Sequence, residues 1–329
     1  MSIEHFVYVG CATFNQSSYI KDALDGFCKQ ETTFPFVCGI LDDASIDGEQ
    51  VIIKQYLEDN FDLDDNNVVR CEETEDCRRL FARHKTNKNC YFVVVFLKYN
   101  HYTIRKSKLP YVSEWREKAK YVAFCEGDDY WLTSDKLQRQ YDYLENHPQC
   151  GLVYTKAKVF SEQTGSFCGC VGEKKESFSS LILRNTIPTL TVMCRTDVYY
   201  SYYYDVEPGK RGWKMGDYPL WLFIAANRDI HFIDEITSVY RANEGSASRP
   251  ASYQSKLDYL ESSKKVRLFF GEKYNRKDLM MAIERNYEEA CVIASIEYRE
   301  KKEGMRSLFT SKYLSLPRRI VLLGRLIKA

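Results

Sequence analysis

No apolar run in this 329-residue chain approaches the length of a bilayer span, so an integral membrane protein is not expected. Histidine is scarce: the five residues are scattered, and Cys168 and Cys170 lack a second pair at zinc-ligand spacing. That argues against a zinc site. No glycine-rich phosphate loop of the P-loop or dinucleotide-binding type follows a strand-like run. The formal net charge is only +1, which gives no basis for binding nucleic acid or another polyanion. No signal-peptide pattern precedes the strand-like run Phe6–Gly10. Twelve cysteines are present, but Cys38, Cys125 and Cys194 sit inside apolar segments, where cysteine acts as a small hydrophobe. The expectation is a reduced, cytoplasmic protein. Internal repeats and low-complexity segments are absent as well.

What is present alternates. His5–Thr13, Phe36–Leu41, Tyr91–Lys98 and Tyr121–Cys125 read as strands. Ser18–Gln30, Glu49–Asn60 and Asp135–Asn146 read as helices, the first with Ile20, Leu24 and Phe27 on one face and Ser17 or Ser18 as its cap. The continuous apolarity of Tyr91–Lys98 predicts a strand covered on both faces. Further strands are expected over Gly151–Phe160, Thr189–Cys194 and Ile236–Arg241, with a helix from Gly216 to about Ala226. The stretch Asp62–Cys90 reads as either a lid or an enlarged loop. From Tyr253 the pattern is helical and charged. This order predicts an α/β fold: a mixed, mostly parallel sheet flanked by helices, with a helical C-terminal region. The expected division is residues 1–249, in halves 1–130 and 131–249, followed by 250–329.

Two acidic clusters follow strands directly. They are Asp42-Asp43-Ala44-Ser45-Ile46-Asp47-Gly48 and Glu126-Gly127-Asp128-Asp129-Tyr130-Trp131. Ligands of open α/β sheets bind beyond the carboxyl ends of strands, so the two clusters can share one crevice. Three carboxylates within four positions repel one another unless a cation or donor offsets them. Hard cations such as Mn²⁺ or Mg²⁺ suit that oxygen-rich set. Gly127 is expected to let the chain turn at the strand's end. For the first cluster a plain helix-capping role also explains Ser45 and Asp47.

These segments, taken in order with Cys11-Ala12-Thr13-Phe14-Asn15-Gln16, Gly216-Asp217-Tyr218-Pro219-Leu220-Trp221 and Tyr240-Arg241 with Gly245-Ser246, resemble the family 2 glycosyltransferases of the GT-A (Rossmann-like) fold. The acidic motif resembles the version found in bacterial cell-surface polysaccharide enzymes. The resemblance spans about residues 5–248. It departs at Cys11 or Ala12, one of which replaces the family's first-strand proline, at the long Asp62–Cys90 stretch, and at Asn243, where the family often has histidine.

The resemblance implies a metal-dependent, inverting transfer of a sugar from a nucleotide-diphosphate donor, a UDP-sugar first of all, to the hydroxyl of a glycan or lipid-linked glycan. It implies that Asp43 contacts the base, with Thr13 and Asn15 lining the nucleotide pocket. Asp129 would hold Mn²⁺ or Mg²⁺, Asp128 would meet the ribose or support the metal, and Arg241 would pair with the diphosphate. Asp217 would be the general base, a role compatible with capping its helix. Trp131, Trp213, Trp221 and the run Tyr199–Tyr204 are candidates for stacking on sugars, with core packing the alternative. Two rival readings are a catalytically silent nucleotide- or carbohydrate-binding protein and a sugar-nucleotide nucleotidyltransferase. The second should carry a basic glycine-rich loop after the first strand, which Val9–Ser18 lacks.

The tail is distinct. Residues 301–329 hold eight Lys or Arg against Glu303, a net of +7. Ile320, Leu323 and Ile327 share a helical face flanked by Arg318, Arg319, Arg325 and Lys328. Such a helix suits peripheral contact with an anionic membrane, or packing against the body or a homo-oligomeric partner.

Overall fold

Alternating side chains on the central strands feed two separate cores, one on each face of a single sheet. The computed structural model describes residues 5–65, 69–243 and 250–328. Its strands are β1 (Val7–Thr13), β2 (Phe36–Asp42), β3 (Phe61–Asp62), β4 (Arg70–Glu73), β5 (Cys77–His84) and β6 (Cys90–Leu97). They continue with β7 (Tyr121–Phe124), β8 (Tyr130–Trp131), β9 (Cys150–Ser161), β10 (Ser166–Val171), β11 (Met193–Arg195) and β12 (Asp229–Ala242). The order across the sheet is β3-β5-β6-β2-β1-β7-β11-β9-β12-β8, with β4 on β5 and β10 on β9. The central run β6-β2-β1-β7 is parallel, and antiparallel pairs extend it on both sides. The fold is thus the mixed α/β sheet flanked by helices that the alternation predicts.

The period-2 pattern assigns the faces. Val7, Val9 and Cys11 of β1, Phe36, Cys38 and Ile40 of β2, and Phe92, Val94 and Phe96 of β6 enter one core. Helices Ile20–Cys28, Glu49–Asn60 and Lys136–Asn146 cover it with Leu24, Phe27, Ile53, Leu57, Leu137 and Leu144. Tyr8, Val37, Leu41, Val93 and Val95 enter the other core, beneath helices Phe178–Leu183, Thr196–Val206, Asp217–Asn227 and Tyr253–Lys273. Every residue of β6 is buried, as its unbroken apolarity requires.

Several local expectations are corrected. Among its described residues the stretch Asp62–Cys90 contributes strands: β4 pairs with β5, and β5 with β6, so it widens the edge of the sheet rather than forming a lid. The first helix begins at Ile20 behind Tyr19, and neither Ser17 nor Ser18 caps it. Thr189–Thr191 is a 3₁₀ turn, with the strand starting only at Met193. Trp131 and Trp221 are fully buried in the cores and cannot stack on a sugar, whereas Trp213 is half-buried and packs on Phe269 and Phe270. The tyrosine run forms helix Thr196–Val206, with Tyr199 and Tyr202 in the core.

After β12 the chain is helical: Tyr253–Lys273, Met280–Glu297, Lys301–Thr310 and Leu316–Lys328. Val292, Leu308, Leu314, Leu322 and Leu326 form a third, small core among the last of these.

Candidate active site

The parallel register of β1, β2 and β7 brings three strand ends together. Thr13 pairs with Asp42, and Gly10 with Phe124. The loops that follow β1 and β2 are zipped by side chains. The Asn15 N–H donates to Ser45 Oγ (2.9 Å), while Asn15 Oδ1 accepts the Ile46 N–H (2.9 Å). Asp47 accepts the Ser17 N–H (2.9 Å) and the Glu49 N–H (3.1 Å). Asp47 thus takes up the first N–H of the following helix, but the cap position is Gly48, which has no side chain to offer, so the plain capping reading of this loop is not met. Beneath lies Glu49, fully buried, which bonds the Thr13 hydroxyl and accepts the Gln16 N–H (2.9 Å) and the Ser45 hydroxyl (2.8 Å). Sequence reasoning missed Glu49. Its signal was an acid at the first position of a helix whose face is otherwise turned to the core.

Gly127 joins the acidic loop to this platform. A Cβ there would lie 2.4 Å from Thr13 Oγ1 and 2.6 Å from Gln16 Oε1. Its backbone φ is not positive, so close approach rather than a sharp turn is what requires glycine. The Gly127 N–H also donates to the Ala12 carbonyl (3.2 Å).

The carboxylates beyond Gly127 are held from β12. Asp129 is buried, and its Oδ1 accepts the Arg241 N–H (2.8 Å). Asp128 accepts from Asn243 Nδ2 (3.2 Å). Burial raises the pKa of both carboxyls; Asp128 and Glu126 push Asp129 further in the same direction. Glu126 is pushed up to about 7 by burial, with Asp128 and Asp217 adding to the effect. These acids are close enough to feel one another's charge, and Arg241 offsets only part of it.

Arg241 is the nearest cation, and its guanidinium is committed. It donates to the Asp128 carbonyl (2.8 Å), pairs with Asp22 and with Glu162 (3.2 Å), and lies over the Tyr19 and Tyr130 rings. The structure places Arg241 beside the acidic loop, where these bonds make it the clasp that fixes the loop. Of the closing motif, Gly245 and Ser246 lie outside the described residues.

Asp217 reaches the same cleft from the other core. It is the first residue of its helix, behind Gly216, and makes no cap. Instead its Oδ2 accepts the Thr189 hydroxyl (2.8 Å). Glu126, Asp128, Asp129, Thr189, Asp217 and Tyr259 line one cavity of ≈ 690 Å³. Tyr259, which sequence reasoning also missed, has its phenol pushed up to about 12 by burial, with Asp217 adding. A tyrosine within a charged helix offers no sequence signal.

Asp43 differs from expectation. Only 2% exposed, its carboxylate accepts the His101 N–H (2.7 Å) and the Tyr102 N–H (3.2 Å) and pairs with Lys108 (2.8 Å). Burial alone would raise its pKa; Lys108 and the two N–H groups outweigh that and hold it low. The carboxylate is thus satisfied by the chain itself. Its neighbour Asp42 is fully buried with Oδ2 unpaired among the described residues.

Among the described residues no three His, Cys, Asp or Glu side chains converge as a complete metal cage. A shared site does not need one. Magnesium-like ions commonly take one or two carboxylates and complete their shell with water and substrate phosphates. Half-buried Asp128 and buried Asp129, mutually repelling at the wall of an open cleft, fit that arrangement.

No protein-family model matches the chain. An uncharacterized protein of Mycobacterium bovis is 29% identical over 192 residues, which cover 57% of this chain and 46% of that protein. Counterparts in two Mycobacterium tuberculosis strains match to the same extent. The chain therefore spans about half the length of the curated relatives it matches. Among solved structures, the Pyrobaculum calidifontis mannosyltransferase PcManGT in complex with GDP-Man and Mn²⁺ superposes with a TM-score of 0.50 at 13% identity, covering 99% of this chain and 86% of that one. Staphylococcus aureus TarS, residues 1–349 with UDP, gives 0.49 at 14% identity over 98% and 80% of the two chains. The likeness to PcManGT shows that this chain shares a glycosyltransferase fold.

Proposed function

We propose that this protein is a metal-dependent, inverting glycosyltransferase of family 2. It moves a sugar from a nucleotide-diphosphate donor, UDP-linked by the family resemblance, to a hydroxyl of a glycan or lipid-linked glycan in surface polysaccharide synthesis. The observation that carries this is the meeting of the Glu126–Asp129 acids and Asp217, from opposite cores, in one cavity of ≈ 690 Å³. The mannosyltransferase of like fold was solved with GDP-Man and Mn²⁺, which supports the donor class and the metal.

Asp128 and Asp129 would hold Mn²⁺ or Mg²⁺, which when bound neutralises charge on the leaving diphosphate. Thr13, Asn15 and the Asp42–Gly48 loop form the nucleotide platform, and Arg241 keeps the acidic loop seated against it. On the acceptor side, Asp217 takes the proton of the attacking hydroxyl. The Thr189 hydroxyl bond fixes one of its oxygens and leaves the other for that proton. The new bond forms between the acceptor oxygen and the anomeric carbon. The bond from that carbon to the diphosphate oxygen breaks, and the nucleoside diphosphate leaves. A single displacement inverts the anomeric centre.

Calorimetric titration of UDP and GDP, each with Mn²⁺ and then with chelator, tests the reading. One nucleotide should bind more tightly with metal, and Asp129→Ala should remove most of that gain. Equal affinity with and without metal for both nucleotides would overturn it.

A further inference from the structure

The last helix, Leu316–Lys328, has two unlike apolar faces. Leu322 and Leu326 turn inward and join Val292, Leu308 and Leu314 in the small C-terminal core. At 100° per residue, Leu316, Ile320 and Ile327 fall on another face, and they are 71%, 62% and 66% exposed. Packing against the body thus accounts for only part of this helix's apolar surface. Phe309 and Tyr313, just upstream, and Val321 are exposed too. Among the described residues, six of the sixteen exposed large hydrophobic side chains therefore lie between Phe309 and Ile327. Scattered exposed apolar groups are ordinary; a concentration of this kind marks a contact surface.

Charge selects the partner. The segment 301–329 carries a net +7, leaving about −6 on the rest of the chain. Arg318 is spent on Glu289, and Arg319 on the carbonyls of Leu314 and Ser311. Among the described residues, Lys302, Lys312, Arg325 and Lys328 form no ion pair. Lys328 and Arg325 follow the exposed stripe around the helix, with Val321 between them. A second copy of this chain would bring an equally cationic surface to the same place. An anionic bilayer offers both the apolar boundary and the opposite charge. No helix among the described residues is long and apolar enough to cross a membrane. The geometry is that of a helix lying in the interface plane, docked to the protein on one side.

We infer that the Leu316–Lys328 face is a docking surface for anionic lipid bilayers. A lipid-linked acceptor is confined to that surface, so docking raises the chance of encounter.

Vesicle co-sedimentation tests this with the full chain, using phosphatidylcholine alone and phosphatidylcholine mixed with phosphatidylglycerol. Binding should require the anionic lipid and weaken as salt is raised. Arg325→Glu with Lys328→Glu should lower the apparent affinity at least about tenfold. Ile320→Asp with Ile327→Asp should do likewise. All four side chains are exposed, so melting temperatures should stay at the parental value; a fall would be caught by the melt and the test repeated with Ile320→Ser and Ile327→Ser. Equal sedimentation with both vesicle types, or none with either, overturns the inference. So does a parental dimer in analytical ultracentrifugation that the Ile320→Asp, Ile327→Asp variant dissociates while vesicle binding is absent.

Discussion

The hydroxyl of Thr189 donates to Asp217 Oδ2 at 2.8 Å, joining the turn before β11 to the first residue of a buried helix. The bond gives Asp217 a fixed orientation that capping its own helix would not. Asp217→Asn keeps shape and removes basicity. Turnover should fall about a hundredfold or more, the usual scale for a general base, while nucleotide affinity and melting temperature hold. Thr189→Val should lower turnover by a smaller factor and leave KM for the donor unchanged. Parental turnover in Asp217→Asn would move the base elsewhere.

Lys108 and Asp43 form a second testable pair. The Asp43 carboxyl is held below its ordinary value, so its stabilising effect is present above the unfolded pKa of about 3.9 and is lost as pH falls below it. Lys108→Met should cost about 1.5–3 kcal/mol at pH 7, the scale of a charge-assisted hydrogen bond. The cost should shrink toward pH 3. Urea melts at the two pH values would show it; a penalty independent of pH would mean that packing of the lysine stem is responsible.

Gly127→Ala places a methyl against Thr13 and Gln16. Relief requires the acidic loop to lift from the nucleotide platform. Overpacking of this kind costs about 1–3 kcal/mol. Nucleotide affinity should drop as well, because both halves of the site shift. Thermal melts and calorimetry together check this, and an alanine variant with parental values in both would show that the loop is free to slide.

Lys136, one turn beyond the acidic motif, is fully buried with a single hydrogen bond, to Gln140 (2.7 Å). Its Nζ lies 4.3 Å from the Trp131 ring centre. Burial pushes its amine down to about 7, with only Cys125 pulling the other way. The unfolded chain, with a lysine pKa of about 10.4, binds more protons between those values. Stability should therefore rise with pH across that window. Lys136→Met should raise the melting temperature at pH 7 and flatten the rise from pH 7 to 9.5. An unchanged slope would show that the amine reaches water.

Strand alternation and motif order were enough to specify the parallel centre of the sheet, the extent of the Glu49–Asn60 helix and the acidic loops at the strand ends. These are local properties: apolar period, turn residues and charge density are written within a few positions of one another. The pairing of β4 with β5, and so the widened edge beside β6, was not legible, because the polar segment Arg70–Glu73 carries no alternating pattern and takes its form from a neighbour's edge. Tertiary structure alone decided that Glu49 bonds Thr13 and that Lys108 occupies Asp43. It likewise turned Arg241 toward Asp22 and Glu162. Each of these partnerships joins residues far apart in the chain, and a side chain's partner is set by which strand ends the register brings side by side. The tail shows both levels: its charge and apolar spacing were plain in the sequence, but only packing determined that Leu322 and Leu326 face the body while Ile320 and Ile327 remain outside.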